Sequence, residues 1–147
     1  MEELLELRRS IEEGRYNDAL FIVGELEEMA KSDKIHKIRS YITILLIHLI
    51  KQAAEARTTR SWQLSLDNAI EEIREVNARR TAGGEYMGAE ELRHSVNEKF
   101  LPALKQAAVE AFGGVYTAKQ LAAMIDAEAI KAQALDYILN GLPESED

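Results

Sequence analysis

Apolar residues recur at intervals of three and four along most of the chain, and alternating apolar and polar positions are almost absent. This pattern predicts an all-α protein: an antiparallel helical bundle of four to five main helices plus a C-terminal helix. Leu4, Leu7 and Ile11 define the first helix, and Gly14 is placed to end it in the left-handed conformation. Asn17 is positioned to cap a second helix with an apolar face of Leu20, Val23, Leu26 and Met29, widened by Ala19, Ile22 and Ala30. Gly24 within that helix leaves room for close approach of another.

Ser32 reads as the cap of a third helix, Asp33 to Glu55. Between Ile42 and Ile50 its apolar residues run nearly all the way round, which predicts a central, buried helix. A short polar link, 56–60, leads to a fourth helix capped by Ser61. It carries Trp62, Leu66, Ala69, Ile70, Ile73 and Val76, with Arg79 and Arg80 suiting the negative end of its dipole. The glycine-rich stretch 81–88 predicts the most mobile loop. Helix resumes at Ala89, with a break expected just before Pro102, and runs on to Gly113-Gly114. Thr117 to Gln120 has the capping-box spacing and opens a last helix that Asn140-Gly141 closes. Residues 143–147 form an acidic tail, so residues 1–142 are expected to make a single helical domain.

Composition refines this picture. The length of 147 residues and the 46% hydrophobic content suit one real core, and the absence of cysteine removes disulfides and thiolate metal sites. The acidic start is unlike a secretory signal, and no apolar run approaches the roughly 20 residues that span a bilayer. A cytoplasmic, non-membrane protein is expected. The net charge of −8 disfavours nucleic acid, yet it is unevenly spread. Residues 1–30 hold nine acidic and three basic side chains, whereas residues 31–60 hold two and seven. Segments of opposite sign suit packing side by side, contact between copies, or an anionic ligand at the basic stretch.

Catalytic signatures are missing. There is no Gly-x-Ser-x-Gly, no phosphate loop, and no arginine five to seven residues before any histidine, as a helical ribonuclease motif requires. Glu91 with His94 has the spacing of a di-metal carboxylate site, but a second such pair in a core stripe is lacking, so no metal or cofactor is expected. One constellation stands out. His48 sits in the most apolar part of the third helix, and Arg57, Arg60, Ser61 and Trp62 follow across the next turn. Arginines at a helix N-terminus can hold phosphate or carboxylate, and a histidine there can titrate near neutrality. The structural alternatives are a core histidine, arginines paired with acidic neighbours, and a tryptophan anchoring the core.

Glu25-Leu26-Glu27-Glu28-Met29, Ser32, Leu45-Leu46-Ile47-His48-Leu49-Ile50-Lys51, Arg57 and Arg60-Ser61-Trp62 together resemble DUF29, a family of small bacterial proteins abundant in cyanobacteria and of uncharacterised function. The resemblance covers about residues 17–112 and implies an all-α bundle, with the C-terminal helix outside it. Gln52-Ala53 stand where members of that family often carry a tryptophan. The resemblance implies no activity. The function expected from the sequence is a non-enzymatic interaction module, self-associating as a homodimer through the third and fourth helices or the last one. The alternatives are an anion-binding protein using His48, Arg57, Arg60, Ser61 and Trp62, or a nucleic-acid-associated regulator.

Overall fold

The sequence pattern predicts a helix boundary at Ser32, but the chain there is continuous helix. In the computed structural model, which describes residues 2–79 and 83–143, α1 spans Glu2–Glu12 and α2 runs without a break over Tyr16–Glu55. Neither glycine nor proline lies near Ser32 to interrupt it. What changes there is the apolar face. Ala19, Val23 and Leu26 look toward one side of α2, whereas Ile35, Ile38, Ile42 and Leu49 look toward a side roughly a third of a turn round from it. Two helices inferred from two faces are one helix with two partners: α1 covers the first face, and the bundle covers the second. Asn17 is not the cap either, because α2 opens at Tyr16 after Arg15.

α3 spans Arg60–Asn77, α4 Ala89–Glu110, α5 Ala118–Ala122 and α6 Ala127–Asn140. A 3-10 turn, Ala111–Gly114, follows α4. All are helical, and the described residues contain no strand, only one bridge between Ala78 and Glu85. The cap of α3 is Thr59, whose side chain accepts from the Trp62 amide, rather than Ser61. α4 passes through Pro102 without the expected break. Pro102 lies on the exposed side, so water can satisfy the carbonyl one turn earlier that loses its amide partner. The capping box at Thr117 and Gln120 is present, but the helix it opens ends at Ala122, and Asp126 caps a separate α6. Residues 80–82 and 144–147, including Arg80, part of the glycine-rich loop and most of the acidic tail, lie outside the described residues.

The core gathers Ile38, Ile42, Leu45, Leu46 and Ile50 of α2, all fully buried, against Leu66 and Ile73 of α3, Leu92 and Val96 of α4, Leu121 of α5 and Ala134 of α6. α2 is therefore the central helix, as its apolar content predicts. Its register with α4 is readable from two ion pairs. Arg39 meets Glu98 and Lys51 meets Glu110, each pair separated by 59 residues, so the helices run parallel and in step. That step puts Ala89, the first residue of α4, level with about residue 30 of α2. The first part of α2 thus extends roughly 20 Å beyond the start of α4, with α1 folded back on it.

Between α3 and α4 the loop is pinned by one side chain. The buried Asn77 accepts from the Met87 amide at 2.8 Å and donates to the Met87 carbonyl at 3.0 Å, and Met87 itself is in the core. The Arg74 guanidinium donates to the Ile138 carbonyl at 3.2 Å, tying α3 to α6.

Candidate functional site

The residues after α2 turn the chain back in four positions. Ala56 adopts the left-handed conformation (φ 52), and its amide bonds the Gln52 carbonyl. Thr59 then fixes the first turn of α3 by accepting from the Trp62 amide at 3.1 Å. This tight return lays the Trp62 ring against the end of α2. The Lys51 ammonium stands 4.5 Å from the ring centroid and the Arg57 guanidinium 4.8 Å from it.

Both cations have carboxylate partners. Lys51, only 5% exposed, reaches Glu110 of α4 at 3.2 Å, and the other oxygen of Glu110 accepts from Gln106. Arg57 pairs with Glu55 at 3.0 Å, while the second oxygen of Glu55 accepts the Phe112 amide at 3.2 Å. Phe112 is also left-handed (φ 50), so two strained non-glycine residues flank one carboxylate. Replacing Ala56 with glycine removes the Cβ clash of that conformation and is expected to raise unfolding stability by about 1 kcal/mol. A urea melt of Ala56→Gly beside the wild type checks this.

His48 lies one turn before Lys51 on α2. Its ring is half-buried, and Nδ1 is shielded from solvent with no hydrogen-bond partner among the described residues. Burial lowers its pKa below the ordinary histidine value, the Lys51 charge lowers it further, and Glu110 opposes both. The Glu110 carboxyl is raised by burial, but hydrogen bonds from Gln106 and Lys51 outweigh that and hold it below the usual carboxylate value. The consequences for stability have definite signs. The unfolded chain takes up the His48 proton first, so stability is full above about pH 6.5 and declines as pH falls from there to the depressed folded value. The Glu110 contribution is lost lower still, through its own folded pKa. Denaturation between pH 7.5 and 5.5 is expected to show the first decline, and His48→Gln is expected to flatten it.

Of the site residues expected from the sequence, the structure brings Arg57 and Trp62 into contact, with His48 nearby. Arg60 and Ser61 are the first two residues of α3 and are exposed. Lys51, Glu55 and Glu110 are the members that reading the sequence missed. Lys51 follows His48 by three residues, a spacing that places both on one side of α2. Nothing in the sequence pairs either with Glu110, 59 residues beyond Lys51. His94 pairs with Glu98 across one helical turn at 2.9 Å, and both are exposed. No group of three or more His, Asp or Glu side chains among the described residues is placed to hold a metal. Likewise none of the described helices is long and apolar enough to cross a membrane.

A second feature lies at the other end of α2. Leu20 and Phe21 are 69% and 67% exposed, and Leu5, Ile11, Tyr16 and Met29 are also more than half exposed. The expectation that Leu20 and Met29 pack inward is therefore not met. Gly24 lies on the same face as Leu20 and Phe21, and the space in front of it is open. This face points the same way round α2 as the core residues Ile35, Ile38 and Ile42 further along the helix. It is open because α4 starts too late to reach it.

Fold and surfaces together define an all-α helical protein whose central helix carries an apolar arm. Over residues 9–136 the chain matches the family model described as a domain of unknown function, DUF29, and it belongs to that family. The match is longer than the resemblance read from the sequence and takes in α5 and most of α6. No curated protein and no solved structure matches the chain.

Proposed function

We propose that this protein is a non-enzymatic helical interaction module that engages other macromolecules through the arm made by α1 and the first part of α2. The observation that carries this reading is the open apolar face at Leu20 and Phe21. Surface leucines scattered singly need no explanation, but here six large apolar side chains more than half exposed fall within residues 5–29. They sit on a two-helix projection beyond the start of α4. An isolated hairpin of this kind gains little by exposing such residues unless another surface covers them.

The Trp62 cluster supports a different role. Glu110 and Glu55 already neutralise Lys51 and Arg57, the cations best placed to hold an anion. Their bonds join the end of α2 to α4 and to the turn after it, and this supports reading the cluster as a brace of the bundle.

Photo-crosslinking tests the arm. A benzophenone amino acid at position 21 in the full chain is expected to give discrete covalent adducts in cells, where the same group at the exposed position 119 gives none. Equal background at both positions overturns the interaction reading.

A further inference from the structure

The arm is not merely apolar; its charge states what kind of surface would cover it. A groove of about 570 Å³ runs over Leu20, Phe21, Gly24 and Met29, and its rim carries Glu3, Glu25 and Glu28 with no basic residue. An adjoining groove of about 550 Å³ shares Glu3, Ile22 and Glu25 with it and continues along Leu5 of α1. That extension adds Glu2 and Glu6, and its one cation, Arg9, lies 3.5 Å from Glu6. The two grooves together thus offer an apolar floor and five carboxylates against a single, already paired arginine.

We infer that the groove between α1 and the first part of α2 binds a basic amphipathic helix of a partner protein, its apolar face on Phe21, Ile22 and Met29 and its lysines or arginines against Glu3, Glu25 and Glu28. This rests on the arm being an interaction surface and names its partner class. Several observations converge on it. The space in front of Gly24, at one edge of the groove, is open, so a partner can approach the backbone closely there. Met29 supplies a flexible, polarisable contact of the sort that adapts to a helical partner. Rim charge of one sign sets partner choice and speeds encounter with the opposite sign.

A second copy of this chain fits less well. Arm against arm sets carboxylates against carboxylates. The basic stretch 31–60 turns its apolar side into the core through Ile38, Ile42, Leu45 and Leu46, so it cannot offer a basic helix with an apolar face. On α4, the exposed Leu101 and Val109 flank one cation, Lys105, too few for five carboxylates.

The test uses two synthetic helical peptides of about 18 residues, five turns, with the same leucine stripe and either lysines or glutamates on the polar face. Fluorescence anisotropy with the full-length protein at low salt is expected to show the lysine peptide binding roughly tenfold or more tightly than the glutamate peptide, a gap that narrows as salt rises. Phe21→Asp is expected to abolish that binding. The triple variant Glu3→Lys, Glu25→Lys, Glu28→Lys, all at exposed positions, is expected to reverse the preference. Equal binding of the two peptides, or a preference unmoved by the triple variant, overturns the basic-helix assignment. So does a position-21 photo-adduct that proves to be only a second copy of the chain, although the arm then remains an interaction surface. If neither peptide binds and position 21 yields no adduct, both readings fall.

Discussion

Asn77→Ala is expected to lower the unfolding free energy by about 2–4 kcal/mol, because it strips partners from two backbone groups at once. The Asn77 amide is the only described partner of both the Met87 N–H and the Met87 carbonyl in that loop, and Met87 is 3% exposed. Water cannot replace bonds at a position so thoroughly shielded. Each orphaned group then carries a desolvation penalty of about 1–3 kcal/mol. The loop also holds the start of α4, and with it the burial of Leu92 and Val96. Urea denaturation of the variant measures the effect; a loss under about 1 kcal/mol would mean that the loop is free to rearrange and rehydrate.

The second large effect is expected at Trp62. Trp62→Ala removes a half-buried ring from the junction of α2 and α3, together with its contacts to the Lys51 and Arg57 cations. Lost packing and lost cation–π attraction together are expected to cost about 2–4 kcal/mol. Lys51→Met is expected to be far milder, within about 1 kcal/mol, since a methionine keeps the stem and a buried ion pair is often replaceable by apolar groups. Glu110 is partly exposed and can return to water. A cluster that braces the bundle gives this contrast in urea melts. A ring kept as an open platform for a ligand would give a small loss at Trp62 instead.

Much of the bundle is legible in the sequence because each core helix keeps one face. Leu66, Ala69, Ile70, Ile73 and Val76 of α3 are all buried at their helical spacing, and the Thr117–Gln120 capping box forms as its pattern predicts. The errors have a shared cause. Ser32 looks like a boundary because the apolar face of α2 swings roughly a third of a turn round the helix there, and periodicity alone cannot separate a new helix from an old helix with a new partner. Pro102 looks like a break because the sequence does not say which side of α4 faces water. Within the site, Arg57 and Trp62 are close in the chain, so a turn suffices to bring them together. Lys51 and Glu110 meet only through the parallel register of α2 and α4, a long-range arrangement with no local signature. The arm was hidden for the converse reason: its apolar pattern is that of an ordinary buried helix, and only the late start of α4 leaves it open.

The central claim is that Leu20 and Phe21 serve a partner and not the fold. The most direct test is the urea-denaturation free energy of the Leu20→Asp/Phe21→Asp protein, measured beside the wild type. The open face predicts values within about 0.5 kcal/mol of each other, as for exposed substitutions. A loss of about 2 kcal/mol or more, the cost expected for charging a packed apolar site, would place both side chains inside the fold and remove the ground for a docking face.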